Sequence, residues 1–163
     1  MKKIPHRKIV EQQLEDIIKL IVFWRDGQQC VEHEIDGARC GNGLQWGHFI
    51  PRSQSRYLKY DLATFCQCGS HNNLHAKGAQ TMVTWFVKTF GAHAQAEIER
   101  IAREHANEKQ RTIQELEDLL AYYTDLYQNR HFVNLDLESL VEAGYYGQVI
   151  KSAWALDKPD GRE

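Results

Sequence analysis

All four cysteines and four of the eight histidines of this 163-residue chain lie in one stretch, from Cys30 to His75. Thiolate and imidazole are the ligands that zinc prefers, and two short pairs separated in sequence can bring four of them onto one ion. Cys68 and His71 form one such pair, with two residues between them. An ion bound in this stretch would hold distant segments together and contribute directly to folding. This clustering constrains the fold more than any other feature.

The second pair of ligands contains Cys30 and either Cys40 or His33. We predict a hairpin over residues 28–46 that turns at Asp36-Gly37, because the pattern there changes to short extended pieces. Cys30 and Cys40 would then face each other at the base of the hairpin, with His33 in its loop. We therefore predict a structural Zn²⁺ site, with His33 as the alternative to Cys40; its ligands are Cys30, Cys40, Cys68 and His71.

The rest of the chain has mainly helical patterns. Apolar residues recur at helical spacing over residues 6–24, and Asp26-Gly27 ends that helix. A second helix is predicted from about residue 70 to about residue 90, with a break at Gly78. After Gly91 the chain is expected to be wholly helical, and Thr112 begins a capping-box sequence.

These patterns predict an α+β fold that is mostly α. We expect a zinc-stapled ββα core with an N-terminal helix and a helical C-terminal half. The predicted division is an N-terminal helix over 1–27, the zinc-containing core over 28–91 and a helical region over 92–163. That last region belongs to the same compact unit or forms a dimerising arm, so a homodimer is a possible assembly.

The net charge of −2 does not exclude nucleic acid, because the charges are unevenly placed. Between Gly47 and Phe90 the chain has five basic residues and one acidic residue, whereas 14 of its 22 acidic residues follow Phe90. Four of the basic residues are candidates for contacts with DNA phosphates: Arg52, Arg56, Lys59 and Lys77.

No apolar run is long enough to cross a bilayer, and the first residues lack the apolar stretch of a signal peptide. We therefore expect a cytoplasmic protein without a membrane partner. In a reducing compartment, cysteines favour metal binding or thiol chemistry over disulfides. Cys66 and Cys68 would suit a redox-active pair of thiols. If Cys68 instead binds zinc, Cys66 has no partner and is expected to pack in the interior.

The central motifs resemble a known family. Gly47-His-Phe-Ile-Pro-Arg52 is followed by Tyr57-Leu-Lys-Tyr-Asp61 and then by Gln67-Cys-x-x-His-Asn72, with Gly78 beyond it. This series is similar to that of the phage NinG (Rap) recombination proteins and related HNH nucleases, also called ββα-metal or His-Me finger endonucleases. The resemblance covers roughly residues 25 to 128. A phage-encoded protein of this kind would act in the cytoplasm of the bacterial host.

The resemblance implies a metal-dependent DNA endonuclease and, by analogy with the family, branched or recombination intermediates as its substrates. His48 would end the second strand, face the first turn of the helix and act as general base. Asn72 would help hold a catalytic Mg²⁺ or Mn²⁺, and Arg52 would reach the phosphate that is cut. His75, one turn after His71, either assists that ion or is exposed.

Two positions depart from the family pattern. His71 stands where the family has a second knuckle cysteine, a replacement that zinc accepts. The middle Asn of the signature falls near Ala63 or Thr64 and is missing, although that residue commonly orients the catalytic histidine. The alternative function is therefore a non-catalytic zinc-containing module that binds DNA or a protein.

Overall fold

The computed structural model describes residues 5–157 of the chain. Helix α1 covers His6–Arg25, which confirms the first predicted helix. Its apolar residues recur every three or four positions and therefore share one buried face. That face carries Val10, Leu14, Ile18, Ile21 and Val22. The helix ends at Asp26, next to Gly27 at a positive φ of 64°.

Two short strands and a helix form the centre of the fold. Strand β1 covers Leu44–His48 and strand β2 covers Thr64–Cys68. They pair antiparallel, with Leu44 opposite Cys68 and His48 opposite Thr64. Helix α3, Gly69–Ala76, follows β2 directly. The chain therefore contains two strands and a helix in the order ββα, with loop 49–63 between the strands.

The predicted hairpin over residues 28–46 is wrong. Helix α2 covers His33–Asp36, and a 3₁₀ turn follows it at Gly37–Arg39. The amides of His33 and Asp36 donate to carbonyls three and four residues back, at 3.0 Å each, so this segment closes local turns instead of a strand ladder. Consequently His48 ends the first strand of the sheet and not the second.

The remaining helices follow the predicted pattern with one extension. Helix α4 covers Thr81–Glu104 and continues past the predicted end near Phe90, with a kink at Gly91, where φ is 87°. The break near Gly78 is confirmed. Helix α5 covers Ile113–Gln128 and begins with the predicted capping box of Thr112 and Glu115. Helices α6, Leu137–Glu142, and α7, Gly147–Asp157, complete the described chain.

The helices surround the sheet. Helix α5 packs against α1 and buries Leu116 and Tyr123, and α7 packs against α4. Buried residues from all three predicted segments form one hydrophobic cluster. The predicted class, α+β and mostly α, is confirmed. Among residues 5–157, none of the helices is both long enough and apolar enough to cross a lipid bilayer.

A buried ion pair joins α1 to the sheet. The guanidinium of Arg25 contacts both carboxylate oxygens of Asp26, at 2.6 and 2.9 Å. It also donates to three backbone carbonyls, those of Leu62, Thr64 and Tyr145, at 2.6 to 2.9 Å. Asp26 in turn accepts from the Cys66 amide at 2.8 Å. This network fixes the sheet against α1 and the turn before α7.

Candidate active site and metal centre

Four predicted ligands lie together at one end of the sheet. The ligand atoms of Cys30, Cys40, Cys68 and His71 are all within 4.8 Å of one another. The three sulfur atoms lie 3.3 to 3.5 Å from Nδ1 of His71. In tetrahedral zinc, bonds of about 2.3 Å to sulfur and 2.0 Å to nitrogen separate these atoms by about 3.5 Å. The cluster can therefore hold a metal ion such as zinc.

Separate elements bring these ligands together. Cys30 follows the end of α1, and Cys40 follows the 3₁₀ turn. Cys68 ends β2, and its sulfur accepts the amide of His71 at 3.4 Å as the N-cap of α3. The carbonyl of Gly41 accepts the amide of Ser70 at 3.2 Å, which fixes the Cys40 segment to the same helix end. The ligands thus converge without the predicted hairpin.

The thiol groups of the cluster differ in their pKa values. Burial raises the pKa of Cys30 to about 12 and also raises that of Cys40. Burial also acts to raise the pKa of Cys68, but hydrogen bonds from the His71 and Gly41 amides and other groups lower it to about 7. Without an ion Cys30 is therefore a neutral thiol at pH 7, and a divalent ion would displace its proton and balance the charge of the resulting thiolate.

Two neighbouring residues lie outside the cluster. His33 is exposed, and its ring lies over Gly37, where a Cβ would be 3.0 Å away. Cys40 and not His33 therefore completes the group. Cys66 is fully buried in the hydrophobic cluster, and burial raises the pKa of its thiol to about 12. Cys66 is thus packed, as expected, and a thiol of that pKa is a poor redox partner.

The predicted catalytic residues line one cleft. This cleft, which we call the His48 cleft, has a volume of about 380 Å³. It lies between the end of β1, the start of loop 49–63 and helix α3. Its lining includes all four residues predicted from the motifs, namely His48, Arg52, Asn72 and His75. Residues up to 27 positions apart in sequence thus share one small space.

His48 is held by the backbone of the loop. Its Nε2 lies 3.2 Å from the carbonyl oxygen of Lys59, which can only accept, so Nε2 carries the proton and Nδ1 the lone pair. The ring packs on Trp46, with 4.4 Å between ring centroids. Burial lowers the pKa of His48 to about 4, the Lys59 carbonyl opposes that shift, and the charges of Arg52 and Lys59 add to it. His48 is therefore neutral at pH 7.

Helix α3 presents two further groups to the cleft. The amide nitrogen of Asn72 donates to Oε1 of Gln45 at 2.9 Å, which leaves the amide oxygen of Asn72 as an acceptor. Nε2 of His75 donates to the carbonyl of Phe49 at 3.1 Å. Nδ1 of His75 is buried without a hydrogen-bond partner among the described residues. His75 is half-buried rather than exposed.

The four predicted phosphate-binding residues separate into two groups. Arg52, Arg56 and Lys59 belong to loop 49–63 and line a neighbouring cleft together. Lys77 is exposed at the C-terminal end of α3 and lines neither that cleft nor the His48 cleft. Arg52 lines both clefts, and its guanidinium carbon is 5.7 Å from the ring centroid of Trp46.

Two determinants of the site were not found from the sequence. The Lys59 carbonyl holds the His48 ring, and a backbone group leaves no mark in the sequence. Gly47 is needed because the side chain of Gln67 crosses it, so that a Cβ would overlap Oε1 of Gln67. In the sequence, Gly47 stands out only as part of the Gly-His motif. The collision of a side chain at this position with Gln67 is visible only in the structure.

Comparison of the chain with protein-family models, with curated proteins and with solved structures finds no match. The resemblance to the NinG and HNH nucleases therefore stays a prediction. The arguments for function that follow depend on the site itself.

Proposed function

We propose that this protein is a metal-dependent endonuclease that hydrolyses phosphodiester bonds in DNA. The observation that carries the proposal is the grouping of His48, Arg52, Asn72 and His75 around one cleft of about 380 Å³. A neutral imidazole can act as a general base, a guanidinium can bind a phosphate, and the two remaining groups can hold a metal ion, which together suit hydrolysis of a phosphodiester. The surrounding elements have the ββα order that the resemblance implies, although His48 ends the first strand and not the second.

His48 acts as the general base. With Nε2 donating to the Lys59 carbonyl, the lone pair on Nδ1 is free to accept a proton from water. The low pKa of about 4 keeps the ring in the unprotonated form at neutral pH. The water loses its proton to Nδ1 as its oxygen attacks phosphorus, the P–O3′ bond breaks, and the leaving 3′ oxygen takes a proton from solvent. The expected products are a 5′-phosphate and a 3′-hydroxyl.

The cleft fits a divalent ion such as Mg²⁺ or Mn²⁺. The amide oxygen of Asn72 and the unpartnered Nδ1 of His75 are neutral ligands that would hold it. No carboxylate of residues 5–157 lines this cleft, so a bound ion would depend on the phosphate of the substrate for negative charge. A bound ion would stabilise the charge that develops on the phosphate and on the leaving oxygen.

Arg52 binds and orients the phosphate. Its side chain lies over Trp46 at the mouth of the cleft, and it forms no ion pair among the described residues. A guanidinium held on an aromatic ring can donate two hydrogen bonds to phosphate oxygens with little loss of side-chain conformational entropy. Arg52 would therefore place the phosphorus within reach of the water next to His48.

The metal cluster has a structural role as a zinc site. Zn²⁺ at Cys30, Cys40, Cys68 and His71 would join the segment after α1 to the start of α3. Helix α3 carries both His71 and the cleft residues Asn72 and His75. Zinc binding would thus fix the helix from which the catalytic ion is held.

The test is nicking of supercoiled plasmid with added Mg²⁺ or Mn²⁺. The wild type and His48→Ala are compared, with His33→Ala as the matched control because His33 is an exposed histidine outside the cleft. We expect the wild type and His33→Ala to nick equally, and His48→Ala to be slower by at least about 100-fold. Equal bound zinc and equal thermal melting of all three proteins would show that they are folded.

The missing middle Asn favours a second candidate function. A zinc-containing module that binds DNA or a protein without cutting would keep the metal cluster and lose activity. The same assay separates the two functions. If the wild type binds DNA and zinc but does not nick with either metal, the endonuclease is refuted. A panel of branched, single-stranded and linear DNA would identify the preferred substrate if it does nick.

A further inference from the structure

A second cleft shares Arg52 with the His48 cleft. This cleft, which we call the basic cleft, has a volume of about 210 Å³. Its lining contains five cationic side chains and one carboxylate, that of Glu11; the cations are Arg7, Arg52, Arg56, Lys59 and Arg111. Five positive charges and one negative charge leave a net charge of +4 around a small space. Such a concentration of charge attracts an anion.

Three distant segments of the chain build this cleft. Arg7 lies in the first turns of α1, and Arg111 immediately precedes the N-cap of α5. The other three cations come from loop 49–63. Arg7 and Arg111 therefore lie outside the stretch of the sequence that predicted a nuclease. The cleft depends on the packing of α1 against both α5 and the 3₁₀ turn of loop 49–63.

Most of this positive charge is not neutralised within the protein. Arg7 pairs with Glu11 at 3.0 Å and Lys59 pairs with Glu15 at 3.4 Å. Arg52 and Arg56 are exposed and form no ion pair in the part of the chain that the structure describes. A solvated face usually alternates positive and negative groups, whereas this one is nearly all positive.

Arg111 is held in place with one buried donor unused. Its guanidinium carbon lies 4.6 Å from the ring centroid of Tyr57, and its Nη2 donates to the Tyr57 carbonyl at 3.1 Å. Tyr57 stacks in turn on His105, with 4.2 Å between centroids. Nε of Arg111 is buried without an acceptor among the described residues. A buried donor without an acceptor destabilises the folded protein, and a hydrogen bond to an anionic oxygen in the cleft would remove that penalty.

We infer that the basic cleft binds a phosphate group of the DNA backbone adjacent to the phosphate that is cut in the His48 cleft. The choice of DNA rests on the proposed function, and the anion site itself rests on the charges. A volume of about 210 Å³ is below the range of roughly 300–1,000 Å³ typical of pockets for organic ligands, and it suits a phosphate better than a nucleoside. Arg52 would contact both phosphates and fix the spacing between them.

Binding of a fluorescein-labelled 20-base-pair duplex, measured by anisotropy at several salt concentrations, tests this inference. The measurements use the His48→Ala background so that no DNA is cut. Arg7→Gln and Arg56→Gln are compared with Lys8→Gln, which removes an exposed cation next to Arg7 that does not line the cleft. Each cleft variant should weaken binding by about 5- to 10-fold and reduce the slope of log affinity against log salt by about one.

The outcomes separate this inference from the proposed function. If Arg7→Gln and Arg56→Gln bind DNA with the affinity and salt slope of Lys8→Gln, the phosphate subsite is refuted, even when the wild type cuts DNA. If the cleft variants bind DNA more weakly and with a smaller salt slope but the wild type does not cut DNA, the phosphate subsite is supported and the proposed endonuclease activity is refuted. Unchanged zinc content and thermal melting would confirm that the variants are folded.

Discussion

The Nε2 atom of His48 donates a hydrogen bond to the backbone carbonyl of Lys59, 3.2 Å away. Lys59 belongs to a 3₁₀ turn at Leu58–Tyr60 in the loop between the two strands. This contact holds the ring in one orientation. It also fixes the tautomer, since a carbonyl accepts only from a protonated nitrogen. Nδ1 therefore keeps its lone pair, which is the form that the proposed general base needs.

The titration of His48 should show the electrostatics of the cleft. Burial and the positive charges of Arg52 and Lys59 place its pKa at about 4. NMR of the ring should therefore find His48 neutral at all pH values above about 5. Arg52→Gln removes a nearby cation and should raise the pKa, whereas Lys77→Gln, outside the cleft, should leave it unchanged. A midpoint at or above 6.5 in the wild type would refute this electrostatic description.

Asp61 should make the protein less stable as the pH rises. Burial raises the pKa of this carboxyl from 3.8 to about 6, opposed by the Ala63 amide and by the charges of Arg111 and Arg25. The folded state therefore binds this proton more tightly than the unfolded state, so the free energy of unfolding falls as pH rises from about 4 to about 6. The full difference of about 2 pKa units corresponds to roughly 3 kcal/mol.

Urea unfolding of the wild type and Asp61→Asn between pH 5 and pH 7 checks this expectation. Over this interval the wild type should lose about 1 kcal/mol more than the variant, because only its buried carboxyl ionises. Titratable groups that are present in both proteins contribute equally to the two stability curves, so their contributions cancel in the comparison. Parallel stability curves would mean that the carboxyl is ionised without cost in the folded protein.

Loss of Arg25 should destabilise the whole fold. Arg25→Met would leave the Asp26 carboxylate, whose side chain is 1% exposed, without its counter-charge, and three carbonyls without their donor. Breaking a buried pair from one side costs about 3–5 kcal/mol. Arg103→Met is the matched control, because that side chain is 70% exposed and its ion pair with Glu99 spans 4.0 Å.

Urea or thermal unfolding of the metal-loaded proteins measures both variants. The control should change the free energy of unfolding by no more than about 0.5 kcal/mol. If Arg25→Met is as stable as Arg103→Met, the network around Arg25 does not hold the sheet against α1.

The local parts of this fold were predictable from the sequence, and the parts that depend on distant pairing were not. The apolar periodicity of α1 and the capping box at Thr112 are patterns of residues that lie close together in the sequence, so both can be recognised there. Strand β2 gives no such signal, because all five of its residues are buried and apolar and polar positions do not alternate. Its partner, strand β1, lies on the other side of loop 49–63. The sequence pattern instead favours a hairpin at the nearest turn-forming residues, Asp36-Gly37.

The candidate site shows the same division. The sequence correctly predicts that Cys30, Cys40, Cys68 and His71 lie together, because thiolate and imidazole chemistry limits the choice, even though the hairpin argued for Cys40 is wrong. Arg7 and Arg111 were missed since only tertiary packing brings them to the basic cleft. The role of Lys59 was missed for another reason, because its carbonyl and not its side chain holds His48.

Elemental analysis of the purified protein tests the central claim most directly, because an ion at Cys30, Cys40, Cys68 and His71 would fix the helix that lines the His48 cleft. We predict one zinc ion per chain in the wild type and in His33→Ala, and clearly less in Cys40→Ser. A wild-type protein that contains no transition metal, or a His33→Ala protein that loses zinc while Cys40→Ser keeps it, would contradict the account.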